Sequence, residues 1–198
     1  TLLAALIGLP FGAWVALTRR AWRLPVVVAL NAAMGLPPVV VGLIVYLLLS
    51  RSGPLGALGW LFTPAGMIAA QTILIAPIVA ALARQTIEDR HRELCDWFTS
   101  LGLTPWQRVR PLLYEARFSL AVVLLAGFGR AVAEVGAVMI VGGNVAGSTR
   151  VMTTAIALET SKGDLPLALA LGALLLLLVL VINGVAQAGK LWLERQRD

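Results

Sequence analysis

The stretch Leu165–Ala188, LPLALALGALLLLLVLVINGVAQA, contains no charged side chain. A helix needs about 20 mostly apolar residues to cross the hydrocarbon core of a membrane, so this run is long enough. The composition agrees, with 59% hydrophobic and 13% charged residues, whereas a soluble domain averages about 45–50% apolar and about 25% charged. These features predict an all-α integral membrane protein in which residues 1–198 form a single domain, without a separate globular part.

About five transmembrane helices are expected. The predicted spans are 2–17, 24–49, 64–83, 118–141 and 165–188. Thr63 before Pro64 and Asp164 before Leu165 have the pattern of an N-cap followed by the first helical residue. The first span is short and lacks a basic leader or a small-residue cleavage pattern. We therefore expect that the native chain begins earlier and that this run is not a signal peptide.

Basic residues are distributed unevenly between the loops. The loop after the first span has three, the loop after the third has six and the C-terminal tail has three: Arg19, Arg20, Arg23; Arg84, Arg90, Arg92, Arg108, Arg110, Arg117; Lys190, Arg195, Arg197. The alternate loops hold only Arg51, Arg150 and Lys162. By the positive-inside rule, the N-terminus is predicted to lie outside and the C-terminus in the cytoplasm.

The same distribution explains the net charge of +6 without a nucleic-acid partner. One Cys and one His exclude a disulfide framework and a His/Cys metal site. No metal ligand set and no nucleophile–base cluster is recognisable within the spans, which argues against a membrane enzyme.

The longest predicted cytoplasmic loop, residues 84–117, is called the polar segment below. Its first half has an apolar face at helical spacing, formed by Ile87, Leu94, Phe98 and Leu101. Gly102 has the position of a glycine that ends a helix in a left-handed conformation.

Thr104 and Pro105 have the pattern of the start of a second helix, which Pro111 is expected to limit to about one and a half turns. The polar segment is therefore predicted to form two short helices with a sharp bend. One interpretation is an interfacial helix anchored at the lipid headgroups by Trp97, Phe98 and Trp106. The other is a docking knob for a cytoplasmic partner.

The stretch DWFTSLGLTPWQR, residues 96–108, resembles the EAA loop of permease subunits of binding-protein-dependent ABC importers. Asp96 stands at the acidic position of that loop, and Gly102 follows six residues later. Trp97 and Phe98 replace its paired alanines, and the late Leu-Pro is missing. The resemblance implies that an ATPase-coupling loop contains Asp96, Trp97, Phe98, Gly102, Thr104 and Pro105.

Three further stretches are similar to the oxyanion branch of these permeases, which handles molybdate, sulfate and tungstate. They are MGLPPVVVGLIVYLLLSRSGPLG (34–56), QTILIAPIVAAL (71–82) and GRAVAEVGAVMIVGGNVAGSTRVMTTAIALET (129–160). The stretch AEVGAVMIVGGN is most similar to permeases of the tungstate type.

The resemblance implies a type I importer permease in the cytoplasmic (inner) membrane, surrounded by lipid and paired with a second copy of itself. Cytoplasmic ATPase subunits would bind ATP and magnesium, and an extracytoplasmic binding protein would deliver the oxyanion. This chain has no Walker motif, so it is expected to be a transport subunit without an ATPase site or a cofactor of its own.

Arg130 and Glu134 are charged residues within the predicted fourth span. Such residues are costly in lipid and usually pair with each other or face a polar cavity. A spacing of four places both on one helix face. They either form a structural salt bridge or line the pathway, where Arg130 would attract the anion and Glu134 would limit how tightly it is held.

Pro37 and Pro38 in the second span and Pro77 in the third are expected to bend their helices. Gly8 and Gly12 form a GxxxG pattern, a weak signal of helix packing. Beyond the fourth span, residues 142–160 are predicted to lie outside and to become amphipathic from 151 to 158, which is typical of a re-entrant or surface helix. The resemblance implies an external gate there, with Gly143, Asn144 and Arg150.

Two alternatives stay open at this stage. The transported anion could be molybdate or sulfate instead of tungstate, because tetrahedral dianions differ mainly in size. A secondary transporter is the other alternative, although such proteins often show inverted repeats, and none is visible in this sequence.

Overall fold

Every regular element in the described part of the chain is helical. The computed structural model describes the backbone of residues 1–18 and 21–195, and the side chains of residues 1–18, 21–104 and 107–189. The helices are α1 (Leu2–Leu17), α2 (Arg23–Met34), α3 (Pro38–Leu49), α4 (Pro64–Ser100), α5 (Pro105–Val132), α6 (Gly136–Gly142), α7 (Met152–Lys162) and α8 (Leu165–Arg195), with a 3₁₀ turn at Gly56–Leu58. The all-α prediction is confirmed.

Some of the residues used above for orientation and for the polar segment are not described. Outside the described backbone or side chains lie Arg19, Arg20 and Arg197, and the side chains of Pro105, Trp106, Lys190 and Arg195.

Among the described residues, three helices are long and apolar enough to cross a membrane: Pro64–Ser100, Gln107–Val132 and Leu165–Gly189. The interrupted pair α2 and α3 meets the same criteria when taken as one span. Helix α1, with 16 residues, is apolar but shorter. The five-span topology stays a prediction.

The predicted N-caps of two helices are confirmed by position. Helix α4 begins at Pro64 and α8 begins at Leu165. The Asp164 carboxylate accepts a hydrogen bond from the backbone N–H of Leu167 at 3.1 Å, which satisfies one of the free donors of the first turn of α8.

Two predicted spans are not continuous helices. The stretch 24–49 is divided because residues 35–37 are not helical. A residue that precedes proline is disfavoured in the helical conformation, and this applies to both Leu36 and Pro37. Pro37 is accordingly extended, with φ −65° and ψ 122°, so the break occurs at the prolines predicted to bend this span. By contrast, α4 continues through Pro77 without interruption.

The second break divides the predicted span 118–141, in which residues 133–135 are not helical. Helix α5 ends at Val132 and the short α6 starts at Gly136. No proline causes this break. Its stabilising contacts are described with the functional site.

The described chain forms two compact units, one made of residues 1–35 and 74–128 and the other of residues 36–73 and 129–198. In the first unit, α1 packs against α4 through the GxxxG pattern. A Cβ atom on Gly8 would lie 2.8 Å from the Ala76 carbonyl oxygen, and one on Gly12 would collide with that of Ala80. Small residues of this kind let two membrane helices approach closely.

In the second unit, α3 packs on α6 with almost no side chain between them. A Cβ atom on Gly42 would lie 2.7 Å from Ala137 Cα, and one on Gly136 would lie 2.8 Å from a methyl carbon of Val39. Helices α7 and α8 follow as a hairpin whose turn residue, Gly163, has a left-handed φ of 84°. Most large side chains of α8 are exposed, which is expected of a lipid-facing helix.

Candidate functional site: the polar segment and the interrupted fourth span

The polar segment contains the end of α4 and the start of α5. Both are long helices, whereas two short helices were predicted. Helix α4 runs from the membrane-length region to Ser100, and α5 starts at Pro105. Between them, Gly102 has a φ of 65°. The backbone N–H of Gly102 donates to the Thr99 carbonyl at 3.0 Å, and that of Leu103 donates to the Phe98 carbonyl at 3.1 Å. This pair of bonds is a Schellman motif, as expected of a glycine that ends a helix.

The start of α5 is capped by a side chain that was not among the predicted residues. The side-chain oxygen Oε1 of Gln107 accepts hydrogen bonds from the Thr104 backbone N–H at 2.8 Å and from the Thr104 hydroxyl at 2.9 Å. A Gln three residues after a Thr is the second half of a capping box. The predicted start at Thr104 and Pro105 is confirmed.

The prediction that Pro111 ends this helix is wrong, because α5 continues through it to Val132. Proline removes one backbone hydrogen bond, but tertiary packing can outweigh that loss. Leu112, the next residue, is fully buried in a cluster with Ile87 and Phe98 of α4.

Phe98 lies in the interior of this cluster, with 0% of its surface exposed. It was predicted, together with Trp97, to face a partner or the lipid. Trp97 is 53% exposed, and its ring centroid lies 5.5 Å from that of Phe98. The two aromatic residues therefore have different roles. Leu101, predicted on the apolar face, is instead 54% exposed, because the helix ends there.

The surface of the turn is formed by residues of the predicted coupling loop. Asp96, Trp97, Gly102 and Thr104 are all exposed. The turn therefore presents a carboxylate and an indole next to a backbone fixed by hydrogen bonds on both sides. These hydrogen bonds hold the end of α4 and the start of α5 together.

Arg130 and Glu134 form the predicted salt bridge, with 2.8 Å between Arg130 Nη1 and Glu134 Oε2. Glu134 lies beyond the end of α5, so the pair is not contained within one helix. Its other oxygen, Oε1, accepts a hydrogen bond from the Ala137 backbone N–H in the first turn of α6 at 3.1 Å. Glu134 is 3% exposed, and the Arg130 side chain is 33% exposed.

Two further polar side chains, which were not predicted to lie here, donate hydrogen bonds to backbone carbonyls at the break between α5 and α6. The Thr153 hydroxyl donates to the Glu134 carbonyl at 3.1 Å. The Gln71 amide donates to the Ala131 carbonyl at 3.4 Å. No local sequence signal identifies Thr153, because its partner is 19 residues away.

The segment predicted as an external gate forms a tight loop between α6 and α7. Gly143 and Asn144 are both left-handed, with φ of 69° and 50°. The Asn144 amide donates to the Thr154 carbonyl at 3.4 Å, and Arg150 Nη2 donates to the Asn144 carbonyl at the same distance.

The buried Thr149 also stabilises this loop. Its hydroxyl donates to the Gly142 carbonyl at 2.5 Å and accepts from the Val145 N–H at 2.9 Å. The segment is ordered by its own hydrogen bonds, and a gating role for it stays a prediction.

The helices of membrane-spanning length, the polar turn between two of them and the interrupted span are features of a multi-helix integral membrane protein. Residues 8–195 match the family described as binding-protein-dependent transport system inner membrane component. The chain belongs to this family of ABC transporter permeases, and it is therefore an inner membrane component of an ABC transport system.

Similar proteins with curated names include permeases for anions. A probable anion ABC transporter permease protein of Haloferax volcanii is 42% identical over 92% of this chain and 81% of its own length. The tungstate uptake system permease TupB of Peptoclostridium acidaminophilum is 39% identical over 93% of this chain and 81% of its own length. TupB of Campylobacter jejuni is 44% identical over 77% of this chain and 64% of its own length.

Proposed function

We propose that this chain is the permease subunit of an ATP-driven importer for a tetrahedral oxyanion, and that the anion is tungstate. The single observation that carries the proposal is the similarity to anion and tungstate permeases at 39–44% identity over most of the chain. A molybdenum transport permease of Azotobacter vinelandii is more distant, at 28% identity over 79% of this chain. This difference favours tungstate over molybdate.

In the proposed assembly, two copies of the chain form the pathway and two cytoplasmic ATPase subunits bind ATP and magnesium. An extracytoplasmic binding protein delivers the anion. The polar segment docks on the ATPase through the exposed turn around Gly102. Because this turn is held to α4 by a Schellman motif and to α5 by the Gln107 cap, movement of the turn displaces both long helices together.

Within the membrane, the proposed contribution of Arg130 is electrostatic. Glu134 neutralises part of its charge through a 2.8 Å ion pair, so the guanidinium attracts a dianion without holding it tightly. A conducting pathway requires this balance, since tight binding would prevent release. The 33% exposure of the Arg130 side chain leaves part of the guanidinium accessible, which supports this role.

The substrate is tested by ATPase stimulation in the reconstituted complex, with the binding protein loaded with tungstate, molybdate or sulfate. We expect the largest stimulation with tungstate. Stimulation by sulfate alone would contradict the tungstate assignment while leaving the permease assignment intact. A binding protein without anion is the matched control.

The ATP-driven mechanism is tested separately. We expect an ABC ATPase to co-purify with the chain, and we expect oxyanion uptake to stop when the catalytic residues of that ATPase are inactivated. Uptake that continues after this inactivation would contradict the ATP-driven mechanism.

A further inference from the structure

A basic cavity of about 650 Å³ opens between α1, the start of α2 and the middle of α4. It lies entirely within the unit formed by residues 1–35 and 74–128. Its charged lining consists of Arg23, Arg84, Arg92 and Glu88. Three guanidinium groups face one carboxylate, so the lining has an excess of positive charge.

Glu88 is already fully engaged by two of these arginines. Arg23 donates to its Oε1, and Arg84 Nη1 donates to its Oε2 at 2.8 Å. The Glu88 side chain is only 11% exposed. Each oxygen of the single carboxylate therefore already accepts a hydrogen bond from an arginine.

Not every arginine donor of the cavity has an acceptor among the described residues. Arg84 Nε is buried, and no hydrogen-bond acceptor for it is found among the described residues. Arg92 lies 3.9 Å from Glu88 and 3.8 Å from Asp89, longer than a normal hydrogen bond. An anionic group with several oxygens would supply the acceptors that the protein lacks. Arginine binds phosphate-type oxyanions in this way, often through two parallel bonds.

The sequence and the aromatic residues around the cavity favour a position at the level of the lipid headgroups. Arg84 is the first charged residue after the apolar stretch 64–83. On α1 and the following loop, Trp14 and Trp22 have ring centroids 4.8 Å apart, and Trp14 is 54% exposed. Tryptophan is enriched at membrane–water interfaces, and basic pockets between helices on the cytoplasmic side bind anionic headgroups.

We propose that this basic cavity binds one phosphate-type oxyanion group, supplied by the headgroup of an anionic phospholipid. A free inorganic oxyanion has the same chemistry and is the second source. The bound anion would join α1 and α2 to the part of α4 with which the polar segment begins. The test of this site uses a lipid and phosphate, so it does not depend on the transported substrate.

The lipid source is tested by native mass spectrometry of the purified transporter complex. The probes are phosphatidylglycerol and a diacylglycerol with the same acyl chains and no phosphate. We expect the wild-type complex to retain phosphatidylglycerol in preference to diacylglycerol. Arg92→Gln is expected to weaken that binding about fivefold, because one basic residue near a membrane surface contributes about this factor.

The matched control is Arg90→Gln, two residues away on the same helix. Arg90 is paired with Glu93 at 2.7 Å and does not line the cavity, so this variant is expected to bind like wild type. Arg92 is 77% exposed, and its replacement is expected to leave folding intact. Arg92→Lys, which keeps the charge, is expected to restore most of the binding.

The free-anion source is tested by calorimetric titration of the delipidated complex with inorganic phosphate. Phosphate binding that Arg92→Gln weakens, without a preference for phosphatidylglycerol over diacylglycerol, would identify a free anion as the ligand. The proposal is overturned if neither phosphatidylglycerol nor phosphate binds. It is also overturned if Arg92→Gln and Arg90→Gln have the same effect on the binding of both ligands.

Discussion

Glu134 Oε1 accepts a hydrogen bond from the backbone N–H of Ala137 at 3.1 Å, so a carboxylate buried within a predicted span caps the short helix that follows it. Its other oxygen forms the ion pair with Arg130. A break in a membrane helix requires partners for the freed backbone groups. The Glu134 side chain provides an acceptor for the Ala137 N–H and a counter-charge for Arg130.

Glu134→Ala is therefore expected to destabilise the protein strongly. It removes the cap of α6 and leaves Arg130 without its counter-charge. Breaking a buried ion pair costs about 3–5 kcal/mol, and the one-third exposure of Arg130 places the expected cost at or below the lower end of that range. Thermal unfolding of the purified chain in detergent measures it.

The matched control for this residue is Glu134→Gln, which keeps an oxygen that can accept from Ala137 and loses only the charge. We expect a smaller loss of stability than for Glu134→Ala. Equal melting temperatures for the two variants would show that the cap does not contribute.

Gly42→Ala is expected to lower stability because it separates α3 from α6. The added Cβ would lie 2.7 Å from Ala137 Cα, which is backbone and cannot rotate away. Overpacking of this kind costs about 1–3 kcal/mol. Gly172→Ala in α8 is the control, because a Cβ there meets no atom within 4 Å. The same loss in both variants, measured by thermal unfolding, would contradict the close packing of α3 on α6.

Trp97→Ala and Phe98→Ala are expected to have different effects. Phe98 is fully buried, so its truncation should cost about 3–5 kcal/mol of stability. Trp97 is more than half exposed, and its truncation should leave stability nearly unchanged. If the turn docks on an ATPase, Trp97→Ala should reduce anion-stimulated ATPase activity and transport in the reconstituted complex. Full coupling in Trp97→Ala would remove this residue from the proposed docking surface.

Gly102→Ala is expected to impair coupling more than stability. The left-handed conformation costs a residue with a side chain about 1–2 kcal/mol, which would loosen the turn between α4 and α5. Gly59→Ala is the matched control, since Gly59 has a nearly equal φ of 62° and a Cβ at either site meets nothing within 4 Å. The measurement is transport per ATP hydrolysed. An equal loss in the control would indicate a general effect of backbone strain.

Features that depend on local residue order were predictable from the sequence. Proline at a first helical position and glycine at a helix end act through their own backbone geometry, so the starts at Pro64 and Pro105 and the turn at Gly102 followed directly. The Arg130–Glu134 pair also followed, because the two side chains are four residues apart.

Tertiary structure alone decided the features that depend on distant partners. Pro111 is tolerated within α5 because its neighbour Leu112 packs against α4. The break before α6 is stabilised by Thr153 from another helix. The position of Arg23 beside Glu88, 65 residues apart, creates the basic cavity. Residue order determined the helix ends that carry their own proline or glycine signal, whereas packing between helices determined how far helices continue, which breaks are tolerated and which charged residues lie together.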